Sequence, residues 1–133
     1  MAIGVFSGAE SAAGKAVGTD LLADANEPWR LASQKRILVS VAVVGGNAVA
    51  EAILDVKIGD KLVATIRNTQ GGASKYPNRD DEIMIGRYVP AGSPVQLIVH
   101  TVGSVNVLVY QFRFKAWKTL RRRRRFYRRR TTS

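Results

Sequence analysis

The chain has no cysteine, one histidine and four prolines in 133 residues. Without cysteine there is neither a disulfide nor a thiolate metal site. With His100 as the sole imidazole, histidine-assisted catalysis has one candidate, and it lies within the apolar run Leu97-Ile98-Val99-His100-Thr101-Val102. No stretch of about 18 apolar residues is present, so no membrane-spanning helix is expected. The opening MAIGVFSGAESAAGKAVG has no basic start and no continuous apolar run, so a secretory signal is not expected and the body reads as soluble. After Trp29 no 3.6-residue period persists over a dozen residues, which argues against amphipathic helices. Residues 1–112 also lack net charge, carrying ten Lys/Arg against ten Asp/Glu.

What is there after Trp29 is a series of short strands. Ile37, Val39, Val41 and Val43 alternate with Leu38, Ser40, Ala42 and Val44 before Gly45-Gly46-Asn47 breaks the run. Both sets are mostly apolar, as in a central strand covered on two sides. Within Ala48–Ile58, Leu54, Val56 and Ile58 form an apolar row, and Leu62, Ala64 and Ile66 form the next. A two-residue Gly59-Asp60 loop would pair Ile58 with Lys61 and set these rows on opposite faces. A three-residue loop, Gly59-Asp60-Lys61, aligns them by pairing Ile58 with Leu62 and is the expected turn.

Arg67–Asp81 is polar and rich in Gly and Pro, and reads as a long loop. Strands are expected again at Ile83–Val89, Val95–Val102 and Val105–Ala116, with a turn over Pro90–Pro94 and a tight hairpin at Gly103-Ser104. In the last strand Leu108, Tyr110, Phe112 and Phe114 form an apolar face. The other face runs Val105, Val107, Val109 and then Gln111, Arg113, Lys115. Residues 1–28 read as an N-terminal arm with a short strand near Ile3–Phe6 and a loop ending at Pro28. The expected organisation is arm 1–28, core 29–117 and tail 118–133. The expected fold is all-β, an antiparallel β-sandwich.

Catalytic and metal chemistry are not expected. His100 has no evident nucleophile or base and reads as structural. Asp80-Asp81-Glu82 lacks the spaced oxygens of a cation cage, and reads as a solvated loop or as ion-pair partners of Arg79 and Arg87. Gly71-Gly72 lacks the strand-to-helix setting of a phosphate cradle. No cofactor is implied.

The tail carries the signal. All of the formal +11 lies in the last 21 residues: Arg113, Lys115, Lys118, Arg121, Arg122, Arg123, Arg124, Arg125, Arg128, Arg129 and Arg130. Guanidinium forks pair with phosphate and stay charged. Like charges at this density repel, so the segment is expected to be extended unless a polyanion neutralises it. Phe126 and Tyr127 interrupt the run and can stack on unpaired bases, or pack against protein. Sequence-nonspecific nucleic-acid binding by these thirteen residues is the preferred reading. An anionic membrane surface, a protein partner and nuclear targeting remain open.

A β-body joined to an arginine-rich arm resembles the single jelly-roll capsid proteins of icosahedral viruses. The stretch Arg87-Tyr88-Val89-Pro90-Ala91-Gly92-Ser93-Pro94-Val95-Gln96-Leu97 is similar to the strand–Pro-Ala-Gly–strand connection before the last hairpin of such folds. The resemblance implies a homo-oligomeric shell, penton or minor capsid protein in a virion, contacting packaged nucleic acid and other capsid proteins. It departs from the family in its C-terminal rather than N-terminal arm and in its short body. In a jelly roll the first and last strands are antiparallel neighbours, so either arm leaves from the same end. In a virion with an internal membrane, the arm would meet lipid. Two other classes compete: a non-viral nucleic-acid-binding accessory protein, and a β-sandwich carbohydrate or receptor binder.

Overall fold

The computed structural model describes residues 3–11, 16–46, 48–72, 75–101 and 107–117. Seven strands form two antiparallel sheets. They are β1 (Gly4–Ser11), β2 (Arg36–Gly45), β3 (Ile53–Ile58), β4 (Lys61–Arg67), β5 (Ile83–Val89), β6 (Val95–Thr101) and β7 (Val107–Ala116). One sheet has the order β1-β7-β2-β5 and the other β4-β3-β6. The chain passes from one sheet to the other at every step from β2 onward except the β3–β4 hairpin. No helix among the described residues is long and apolar enough to cross a membrane.

Period-2 alternation decides which side chains fill the space between the sheets. From β7 come Leu108, Tyr110, Phe112 and Phe114, all buried, as their spacing predicts. Opposite them lie Leu54, Val56 and Ile58 of β3 and Val95, Leu97 and Val99 of β6. β2 is central, between β7 and β5, and is buried on both faces from Ser40 to Gly45. Its inward set differs from the simple alternation, because a bulge against β7 between Leu38 and Ser40 inserts Val39. Leu38 therefore joins Val41 and Val43 in the core, while Ile37 turns outward.

The N-terminal residues belong to the body. β1 pairs with β7 from Gly4↔Phe114 to Ser11↔Val107, well past the expected end at Phe6. A short helix, α1 (Leu21–Asp24), is capped by Asp20 and buries Leu21 and Leu22 completely. Just before it, Gly18 and Thr19 exchange backbone hydrogen bonds with Val99, and Asp20 bridges Ile98 on β6. Trp29, in the 3-10 turn Pro28–Arg30, is the hub of an aromatic cluster. Its ring lies 5.6 Å from Phe6, 5.1 Å from Phe112, 6.2 Å from Phe114 and 6.3 Å from Tyr110. Fully buried Arg36 fastens this turn to β2. It donates to the carbonyls of Trp29 (2.7 Å) and Arg30 (3.0 Å), and its guanidinium sits 4.1 Å over Phe114. Burial lowers its pKa to about 10, still charged at neutral pH.

Two expected connections are corrected. The β3–β4 turn is the two-residue Gly59-Asp60 form, with Ile58 paired to Lys61. Both turn residues have positive φ, 55° and 70°, as a tight twisted hairpin requires. Val63 then bulges, so that Val56 meets Ala64 and Leu54 meets Ile66. The apolar rows align through an extra strand residue rather than an extra loop residue. The second correction concerns β6 and β7, which lie in different sheets, so no hairpin joins them; Gly103-Ser104 itself lies outside the described residues.

The loop after β4 is held by buried Asn68. Its amide donates to the carbonyls of Gly45 (2.8 Å) and Ala48 (2.7 Å), and its Oδ1 accepts from the N–H of Ala52 (3.0 Å). Thr69 and Gln70 continue the sheet beside the end of β2. Trp29→Ala is expected to lower stability by about 3–5 kcal/mol, since it empties the aromatic hub. Urea unfolding at neutral pH measures this, and a loss under about 1 kcal/mol would contradict the hub.

Candidate nucleic-acid interface

Of the thirteen predicted contact residues, the described part of the chain contains Arg113 and Lys115. Lys118, Arg121–Arg125, Phe126, Tyr127 and Arg128–Arg130 lie outside it. Arg113 and Lys115 share the outward face of β7, opposite the row that builds the core. They differ in availability. Arg113 is engaged by Glu82 through two contacts, Nε to Oε1 at 2.8 Å and Nη2 to Oε2 at 3.4 Å. Ser40 donates to the same carboxylate at 2.6 Å. Lys115 is exposed and stands beside outward-facing Ile37 of β2. Lys115 is thus the better placed phosphate contact of the two.

The last turn of this face holds a feature that the sequence reading passed over. Trp117 follows Lys115 by two residues, and its ring lies 4.7 Å from that of Tyr88 on β5, with planes tilted by 49°. The signal was available in the i, i+2 series Arg113, Lys115, Trp117. Its partner was not, because the β5–β2–β7 register is a long-range fact. Ile37 pairs with Tyr88 on one side and Lys115 on the other, so these three form one row across the sheet, with Trp117 two residues beyond Lys115 and against Tyr88.

The acidic run is structural. Asp81 closes a capping box with Asn78 and accepts from Thr69 (2.6 Å) and Gln70 (2.7 Å). Burial alone would raise its pKa, but these hydrogen bonds and that from the Asn78 N–H outweigh burial and leave it lowered. Glu82 is lowered chiefly by the Arg113 hydrogen bond and then by Ser40. Its ion-pair partner is Arg113, in place of the expected Arg79 or Arg87.

Other ionisable groups fit structural roles. His100 is exposed, not core-facing, and its Nδ1 lies 3.2 Å from Asp55 Oδ2, while Thr65 donates to Asp55 Oδ1 at 2.8 Å. Tyr110 donates to Glu27 at 2.9 Å, and burial pushes its pKa up. Burial also raises Asp20, whose Oδ1 accepts from the N–H groups of Leu22 (3.1 Å) and Leu97 (3.2 Å). A cavity of about 490 Å³ opens beside Phe6, Trp29 and Leu31, but its lining holds no titratable group. Among the described residues no cluster of three or more metal-ligating side chains occurs. No protein-family model, curated protein or solved structure matches the chain.

Two carboxylates held low make a pH prediction. A depressed folded-state pKa contributes stability above the unfolded value, about 4 for these groups. That contribution is lost as pH falls through the lowered folded value. The melting temperature is therefore expected to fall below about pH 4, and Glu82→Gln to flatten the fall while lowering the neutral-pH plateau. A Glu82→Gln melting profile that parallels wild type from pH 7 to 2 would exclude this contribution.

Proposed function

We propose that the chain is a virion structural protein, a shell, penton or minor capsid subunit whose body assembles and whose Arg-rich C-terminal segment neutralises packaged nucleic acid. One observation carries the reading: residues 1–112 sum to zero charge and the last 21 carry +11, downstream of an antiparallel β-body. The strand order supports a single jelly roll. In that fold eight strands form two packed sheets, with the first and last as antiparallel neighbours. β1 and β7 are such neighbours, and the Gly18–Asp20 segment bonded to β6 stands where an eighth strand would run. The turn after β5 fits the resemblance as well. Gly92 takes a φ of 80° and Ser93 donates to the Pro90 carbonyl at 3.1 Å, as a glycine-dependent tight turn does.

The direction of β7 supports the placement of the arm. Its end at Ala116 pairs with Arg36, at the start of β2, and lies near Gly4 at the start of β1. Either terminal arm of such a sandwich leaves from that pole.

Deleting residues 121–133 is expected to leave the thermal melt intact and to abolish salt-sensitive binding to nucleic acid. Engagement of about eight arginines gives a slope of roughly −6 to −7 in a plot of log K against log salt. Undiminished binding by the shortened chain would overturn the tail's role. Electron microscopy of the full chain with nucleic acid is expected to show rings or closed particles. Monomers at every salt concentration would favour a nucleic-acid-binding accessory protein, and binding to anionic vesicles in preference to nucleic acid would favour the membrane alternative.

A further inference from the structure

Tyr88 and Trp117 have no share in the core. Both lie outside the buried cluster, and Tyr88 is 41% exposed. They stand on the outward face of the β1-β7-β2-β5 sheet, where Val5 (47%), Met84 (72%) and Val107 (48%) are also exposed. By register, the outward positions of these four strands carry no carboxylate. Glu82, just before β5, is already engaged by Arg113 and Ser40. The face therefore joins two aromatic rings to the cation of Lys115, without a competing anion in the row, at the point where the chain enters its arginine run.

We propose that Tyr88 and Trp117 form a stacking platform for an unpaired base of single-stranded nucleic acid, with Lys115 receiving the adjoining phosphate. The proposal rests on the nucleic-acid reading of the tail and adds a folded contact to it. Three features favour this occupant. The rings offer π-faces, and base–aromatic stacking tolerates any sequence. The ammonium matches a phosphate in charge, and β7 leads directly into a segment suited to the same polymer. A duplex buries its base faces in its own stack, so the platform distinguishes single strands from double strands, which the tail's charges alone do not.

The test compares two polyanions on the full-length protein: a short oligothymidylate and inorganic polyphosphate of equal charge. Tyr88→Ala and Trp117→Ala are each expected to weaken oligothymidylate binding about tenfold, within the range for loss of one stacked base. Polyphosphate binding and the salt slope are expected to stay unchanged, and Trp117→Phe to retain most of the affinity. Lys115→Gln is expected to weaken both ligands and reduce the slope by about 0.7. On the wild-type chain, an oligonucleotide carrying 5-bromouracil is expected to photocrosslink to Tyr88 or Trp117. That map decides the matter if an alanine variant fails to fold.

Wild-type protein that binds neither polymer would remove the nucleic-acid reading and this proposal together. Wild-type binding of both polymers, with equal losses on each or none on oligothymidylate, overturns the platform alone. Crosslinks confined to Phe126 and Tyr127 do the same.

Discussion

Strand β7 is hydrogen-bonded along both edges, to β1 and to β2, and its alternation cannot be altered without moving the core. Leu108, Tyr110, Phe112 and Phe114 must point inward, because they meet Trp29 and the side chains of the opposite sheet. Gln111, Arg113 and Lys115 then have no choice but to face out. One constraint thus fixes both the hydrophobic filling of the sandwich and the orientation of the first cations. The aromatic cluster adds a second lock, since Arg36 ties the backbone of Trp29 and Arg30 to the strand beside β7.

Much of this was legible in the sequence, and the failures have physical causes. β7 was readable because its alternation runs unbroken from Leu108 to Phe114. β2 was located correctly as a strand covered on two sides, but the bulge at Val39 was not legible, since apolar residues on both faces leave no alternation to break. The β3–β4 turn erred in the same way. Matching the apolar rows was the right demand, yet a bulge at Val63 satisfies it as well as a longer loop does. The supposed hairpin at Gly103-Ser104 came from assuming that successive strands pair, whereas β6 and β7 lie in different sheets. Leu21 and Leu22 were missed because a four-residue helix is too short to display a period.

The candidate site was legible in part. Charge segregation needs only a count, so the basic segment stood out at once. The availability of each cation does not follow from counting: Arg113 is bound to Glu82, 31 residues away in sequence, and Lys115 is not. The Tyr88–Trp117 contact likewise depends on β5 and β7 flanking the same strand. Acidic residues also changed meaning once placed. Asp81 and Glu82 anchor the loop before β5 and the face of β2, which leaves this part of the sheet without a free negative charge.

The basic segment is attached to an interior strand of its sheet, not to a border strand. Tension applied along the axis of β7 is shared by two ladders of hydrogen bonds loaded in shear. Such a joint resists until many bonds give way together, whereas a border strand held on one side peels more readily. The body is therefore a firm mechanical anchor for whatever grips its C-terminal end.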